Sequence, residues 1–480
     1  MKKDLLRVMV KGGICSPSEL KQIVEAAEAM KLSSILLGSR QDILIPSKLS
    51  VKEINDQLPN FNIEYVSNRK YQNIVSSYVS ADILPGTPWL NGATYLYILE
   101  QFRYHPKIEI NITDPRQRLV PLFTGQLNFI ASEQEDYWYL YLRLPGSDKL
   151  QRYPVWVHSW DISKLARLIE DYWEDIDDLE EMFFIANEKL ELNNRTISKP
   201  LQIPFTPFPY YEGMNKMGLG QYWLGLYWRN NCYDLNFLKA ISDLCLECRI
   251  GKICLTPWKS LIIKGIPGEQ KLLWEKLLGN FGINVRHSSL ELNWHLPVAN
   301  EEALELKRYL VRNFDQNDIS TYGLTFGITS GYGPYFTSIV IEKNPPPKVV
   351  REFEIRPTYN VLYCEDFDPN KLEYQNYAQD VDKIELPGLL MELSRLYFSQ
   401  LGEHRASTTA PASPDPSRNQ VRINAFQCPD CLTIYDSRYG DEAADVAPGT
   451  PFEQVPDSYE CPVCECPKSA FRIMVIEPTA

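Results

Sequence analysis

At 480 residues the chain has room for two to four domains, and its 44% hydrophobic and 12% aromatic content excludes general disorder. A net charge of −13 disfavours nucleic acid, which requires a basic face, and suits docking to basic partners. Eleven cysteines in no even framework argue against a disulfide-stapled secreted protein. Met1-Lys2-Lys3-Asp4-Leu5-Leu6-Arg7 has no signal-peptide core, and no uncharged run has transmembrane length, so a cytoplasmic protein away from membranes is expected.

The chain opens on the first copy of a repeat. Leu20-Lys21-Gln22-Ile23, Ser34-Ile35-Leu36-Leu37 and Asp42-Ile43-Leu44-Ile45 recur 218 positions on as Leu238-Lys239-Ala240-Ile241, Lys252-Ile253-Cys254-Leu255 and Ser260-Leu261-Ile262-Ile263. After a two-residue insertion, Phe61-Asn62-Ile63 meets Phe281-Gly282-Ile283. The apolar spacing predicts a helix in each copy, over Ser18–Met30 and Leu235–Cys248. Two short strands follow, Ser34–Leu37 with Ile43–Ile45 and Lys252–Leu255 with Leu261–Ile263, and then a second helix and a last strand. Such halves are expected to pair into one α+β sheet with helices on one face.

Gly38-Ser39-Arg40-Gln41-Asp42-Ile43 resembles the Thr-x-Arg-Gln-(Asn/Asp)-Ile signature of nitrite and sulfite reductases, and Leu255-Thr256-Pro257-Trp258-Lys259-Ser260-Leu261 is similar to its counterpart in their second half. That resemblance implies two ferredoxin-like half-domains, at 1–70 and 226–290, with αβ segments at 71–225 and 291–401; the first segment of the family binds sirohaem. Gln72-Asn73-Ile74-Val75-Ser76-Ser77 stands where the family has an Arg-Asn-(Ile/Val)-x-x-Cys haem segment, but the Arg and Cys are missing.

Farther along, Lys107–Ile112 and Leu127–Ile130 read as strands. Trp160–Leu190 reads as helical and carries Glu170, Asp171, Glu174, Asp175, Asp177, Asp178, Glu180 and Glu181. A solvated face explains those charges; a docking surface for a basic partner is the alternative. Residues 201–211 read as irregular, and Phe326–Pro334 lacks the spacing and the Lys of a phosphate loop. A closing helix is expected over 387–401, begun by Pro387, and a Pro- and Ser-rich linker over 402–420.

The reductase family holds a [4Fe–4S] cluster by Cys-x5-Cys and Cys-x3-Cys. Here the one Cys-x5-Cys is Cys248 and Cys254, which the repeat aligns with Met30 and Leu36, so both are expected to be core thiols. No Cys-x3-Cys exists. The body is therefore expected to lack both the cluster and sirohaem, with Arg40 an ordinary surface or sheet-edge arginine. The five histidines form no metal-spaced pair, and no nucleophile elbow or zinc-protease helix is present.

Residues 421–480 carry Cys428-Pro-Asp-Cys431 and Cys461-Pro-Val-Cys464. Two such knuckles can bring four thiolates around one tetrahedral iron or zinc, and a zinc ribbon has the same pattern. Pro448-Gly449-Thr450-Pro451-Phe452-Glu453 and Lys468-Ser469-Ala470-Phe471 then give the segment its resemblance to rubredoxin, which implies one iron on Cys428, Cys431, Cys461 and Cys464 as a one-electron carrier. Leu432 and Glu465 replace the family's glycines, Tyr459 its tryptophan, and Cys466 is read as a spectator thiol.

The expected fold is thus α+β, duplicated ferredoxin-like half-domains with inserted αβ segments plus a small rubredoxin-like metal-bound β domain. The expected function is electron transfer by an Fe(3+)/Fe(2+) site tethered to a catalytically degenerate reductase-like body that docks a redox partner, a nitrite or sulfite reductase being the natural candidate. The alternatives are a nitrite or sulfite oxidoreductase with a built-in rubredoxin donor, and a zinc-ribbon interaction protein.

Overall fold

Ser16 begins the first long helix: its hydroxyl accepts the Glu19 N–H at 3.1 Å, the Glu19 carboxylate accepts the Ser16 N–H at 2.7 Å, and Pro17 occupies the first helical position. This helix and the elements below belong to a computed structural model. It describes residues 5–46, 51–68, 70–147, 149–176, 178–284, 290–331, 334–345 and 356–407, and in the C-terminal part 423–429, 433–435, 437, 440, 441, 444, 446, 447 and 449–476. The chain forms two compact units, Met1–Glu403 (the body) and His404–Ala480.

The body starts with β1 (Leu5–Val8), β2 (Ile14–Cys15), α1 (Pro17–Ala29), β3 (Ser34–Leu37), β4 (Ile43–Pro46), α2 (Val51–Gln57) and β5 (Ile63–Tyr65). The first inserted segment adds β6 (Ile74–Ser76), α3 (Gly92–Gln101), β7 (Ile110–Thr113), β8 (Leu127–Ala131), β9 (Tyr137–Arg143), β10 (Leu150–Arg152), β11 (Val155–His158), α4 (Ile162–Asp171), α5 (Leu179–Lys189) and β12 (Arg195–Thr196). The second half comprises β13 (Gly213–Gly218), β14 (Gln221–Tyr227), β15 (Tyr233–Asp234), α6 (Leu235–Glu247), β16 (Ile253–Leu255), β17 (Ser260–Pro267) and α7 (Lys271–Asn280). Next come β18 (Trp294–His295), α8 (Glu301–Gln316), β19 (Phe326–Thr329), β20 (Ile339–Lys343), β21 (Tyr359–Cys364), β22 (Tyr374–Val381) and α9 (Leu386–Ser407).

The repeat is present in the backbone itself. α6 lies 218 positions after α1 at both ends, and the left-handed residues Lys31 (φ 59°) and Gln41 (φ 56°) have counterparts in Arg249 (φ 58°) and Lys259 (φ 60°). The halves do not share one sheet, as the sequence suggested. They form two five-stranded sheets, β15-β3-β4-β1-β5 and β13-β14-β17-β16-β2, which exchange a short strand each. Tyr233 of β15 pairs with Ile35, and Cys15 of β2 pairs with Ile253. α1 packs on α6, and one core spans both halves, with Ile23, Val24 and Ala27 meeting the cluster of Leu238, Ile241 and Cys245. Phe281 and Gly282 form a turn after α7, residues 285–289, where the last strand of the second copy would run, lie outside the described residues, and β13 pairs with β14 at that edge of the sheet.

The two inserted segments also repeat a plan. β6-β7-β8 are parallel and β9 returns antiparallel; β18-β19-β20 are parallel and β21 returns antiparallel. β8 is buried at all five positions, as expected of a strand covered on both faces. The helical stretch after Trp160 is two helices, because Asp178 accepts the Glu180 N–H and starts α5 afresh. No helix among the described residues is long and apolar enough to cross a membrane.

The C-terminal unit holds β23 (Ile423–Gln427), β24 (Ile434–Tyr435) and β25 (Arg472–Ile476) in an antiparallel sheet of order β24-β23-β25. Phe452 stacks on Phe426 at 4.2 Å and also packs on Tyr435, Tyr459 and Phe471, forming a small aromatic core. Gly440 is required where it stands: φ is 65°, and a Cβ would lie 2.4 Å from the Val446 carbonyl.

Candidate functional site

The first knuckle leaves the end of β23. The Cys428 N–H donates to the Thr433 carbonyl at 2.8 Å, which turns the loop back on itself. The second knuckle closes by the same bond, from the Cys461 N–H to the Cys466 carbonyl at 2.8 Å, with the Glu465 N–H donating to the Cys461 carbonyl at 2.9 Å. Cys428 and Cys461 are buried and Cys464 is exposed. The three sulfurs lie within 4.8 Å of one another, and Cys428 Sγ is 3.4 Å from Cys464 Sγ. In a tetrahedral site with metal–sulfur bonds of about 2.3 Å the sulfurs stand about 3.8 Å apart, so the three fit the edges of one. Cys431 lies outside the described residues. Among the described residues no other group of three or more His, Cys, Asp or Glu side chains converges in this way. Soft thiolates in this arrangement suit iron or zinc.

The matched residues decide between a generic knuckle pair and a family. The rubredoxin family profile matches residues 425–471. The probable rubredoxin HupI of Bradyrhizobium diazoefficiens is 46% identical over 55 residues, which cover 12% of this chain and 77% of that protein. The chain belongs to the rubredoxin family. The anaerobic nitric oxide reductase flavorubredoxin of Salmonella paratyphi A is 45% identical over 52 residues, only 11% of either chain, so this relative matches in the rubredoxin unit alone. A rubredoxin unit implies iron held by cysteines and electron exchange with a redox partner.

The other departures noted in the sequence can now be placed. Glu465 adopts φ 63°, the left-handed conformation the family's glycine accommodates without strain. Leu432 lies outside the described residues. Tyr459 fills the aromatic core, and its hydroxyl donates to Asp441 Oδ2 at 2.8 Å; burial and that carboxylate push its pKa up. Cys466 is buried beside Cys428 and Cys461, but its sulfur is not one of the three that converge.

The body of the rubredoxin chain matches a different solved structure, the NirA protein of Mycobacterium tuberculosis. The TM-score is 0.63 at 16% identity, over 82% of this chain and 80% of that one. This shows that the body shares the fold of that protein.

Within that fold Arg40 is not a surface residue. Its side chain is 13% exposed, and burial lowers its pKa. Nη1 donates to Asn111 Oδ1 at 2.9 Å, and Nη2 donates to the carbonyls of Asn73 at 2.9 Å and Ile110 at 3.1 Å. Asn73 returns its amide to the carbonyls of Val10, Arg40 and Gln41, while Gln41 exchanges two hydrogen bonds with the Ser76 backbone. The first signature and the would-be haem segment thus hold each other. Cys248 and Cys254 are buried, and burial raises both thiol pKa values, as it does for Cys364.

One feature escaped the sequence. Lys259 and Lys307 are buried, and Lys307 pairs with the half-buried Glu291. Lys307 Nζ donates to the Tyr227 hydroxyl at 2.5 Å and sits 3.4 Å from Glu291, while Lys259 Nζ donates to the Leu296 carbonyl. Burial pulls Lys259 down to about 7 and Lys307 to about 8. The 218-residue repeat aligns Lys259 with Gln41 of the first signature, and that alignment was the available signal.

Proposed function

We propose that the chain is an iron-binding electron-transfer protein, in which one iron is held by Cys428, Cys431, Cys461 and Cys464 and the reductase-like body docks a redox partner. The observation that carries this reading is the convergence of three sulfurs from two identically closed knuckles in a rubredoxin unit. A cysteine-held iron supplies one-electron exchange between ferric and ferrous states. The residues do the rest. Burial of Cys428 and Cys461 keeps water from the sulfurs, and exposed Cys464, with exposed Val463 beside it, gives a partner its point of closest approach. Glu453, Asp457, Glu460 and Glu465 are exposed, against Lys468 and Arg472, which favours a partner with a basic docking face.

The partner we favour is a nitrite or sulfite reductase, in the cytoplasm, on the strength of the body's fold. The test is metal analysis with a visible spectrum of protein from iron-replete cells, followed by reduction and reoxidation. One iron per chain and a red colour that reductant bleaches and air restores are expected. A colourless zinc protein would end the electron-transfer reading.

A further inference from the structure

The body's resemblance implies sirohaem, so its side chains can be asked whether they would receive one. We infer that the described part of this chain's body is closed to sirohaem: its two clefts beside the signatures and at the ends of the first inserted sheet are too small, the roomier one has the wrong charge, and Arg40, Arg118 and Lys264 are committed to the protein. This goes beyond the iron-carrier reading and rests on different residues.

Space is the first objection. The cleft beside the second signature is filled by Trp258, whose ring meets Phe208 at 4.6 Å and Phe336 at 5.9 Å and whose Nε1 donates to the Leu119 carbonyl at 2.8 Å. The cavity left there is about 30 Å³. A second cavity, at the carboxyl ends of β6 and β7, is about 210 Å³. Sites for organic ligands run to about 300–1,000 Å³, and a tetrapyrrole belongs at the large end.

Charge is the second. Sirohaem carries eight carboxylates, and the 210 Å³ cavity is lined by Asp82 and Asp114. Asp114 cannot turn away, because its carboxylate accepts the Thr87 N–H at 2.6 Å, the Thr87 hydroxyl at 3.0 Å and the Arg116 N–H at 2.8 Å. Gly86 packs so closely that a Cβ would lie 2.9 Å from Asp114 Oδ2.

The cations are the third. Both terminal nitrogens of Arg40 are bound to Asn111, Asn73 and Ile110. Arg118 makes a two-pronged pair with Asp368, at 2.8 and 3.0 Å, and Lys264 donates to the carbonyls of Tyr78 and Ala81 at 2.7 and 2.9 Å. Turning any of them to a cofactor gives up these hydrogen bonds, which opposes binding. Cys248 and Cys254 are buried core thiols and, among the described residues, belong to no converging set.

The test uses the full-length protein, made in cells that overproduce sirohaem and, separately, titrated with sirohaem after purification. Tetrapyrrole absorption is read on the purified protein, and tryptophan fluorescence is followed during the titration because Trp258 would be quenched by a cofactor in its cleft. The expected result is no tetrapyrrole band and no quenching that saturates at one per chain, with circular dichroism confirming a folded body. A band or saturable quenching at one per chain overturns the inference. The iron chromophore is read in the same spectrum: its loss would end the carrier reading and leave this one standing, whereas a tetrapyrrole band would do the reverse.

Discussion

Glu465 shows what a single side chain contributes at the metal knuckle. A non-glycine residue at φ 63° is strained by about 1 kcal/mol or more. Glu465→Gly is therefore expected to stabilise the C-terminal unit by about 1 kcal/mol, read as a higher denaturant midpoint for loss of the visible band; an unchanged or lower midpoint would show that the strain is compensated. Lys259 carries a pH-dependent cost. Burial, with Lys307 nearby, holds its folded pKa at about 7 against an ordinary 10.5. Between those values the unfolded chain binds more protons than the native one, so stability rises with pH across that window, and the handicap is full below pH 7. Lys259→Gln borrows the residue that occupies the same left-handed position in the other repeat, Gln41 at φ 56°. The variant is expected to be more stable than the parent by about 1–3 kcal/mol at pH 6, with the gap closing toward pH 10. A gap that is constant with pH would mean that the lysine is not the group responsible.

Among the elements, α1 and α6 are the same helix written twice, each begun by a capping side chain: Ser16 for α1 and Asp234, which accepts the Phe237 N–H at 3.0 Å, for α6. Ser16→Ala removes one such bond and should destabilise the body by about 1 kcal/mol. Because the two halves share a core and exchange β2 and β15, the loss should appear as an earlier single transition for both halves. Separate hydrogen-exchange responses, with only α1 losing protection, would show that the exchange does not couple them. These helices were legible in the sequence because apolar spacing is a local signal and the repeat doubled it. The exchanged strands Ile14–Cys15 and Tyr233–Asp234 were not, since two residues carry no periodicity. Nor was the pairing of β13 with β14, because only tertiary packing brings that strand to the edge of the second sheet. The same division holds at the sites. Two Cys-x-x-Cys knuckles announce a metal because the ligand chemistry is local. The fate of Arg40 depends on Asn73 and Asn111, whose approach only tertiary packing determines.

At the scale of the molecule, the two units differ in what holds them together. The body buries three large apolar clusters, among them Trp138, Trp274 and Phe326, and apolar burial on that scale is enough to hold a fold. Among its described residues the C-terminal unit buries five hydrophobic side chains in its aromatic cluster, Tyr435, Val446, Phe452, Val455 and Tyr459, beside the cysteines. Domains this small seldom close a fold on apolar burial alone, and a metal bound by thiolates contributes about 10 kcal/mol or more to folding. Stripping the iron with a strong chelator is thus expected to abolish the visible band and the amide protection of β23 and β25 together, while the thermal transition of the body stays where it was. Reconstitution with ferrous iron under reducing conditions, then air, should restore both band and protection. If the amides of β23 and β25 stayed protected without metal, the aromatic cluster would be sufficient by itself, and the cysteines would serve the electron without serving the fold.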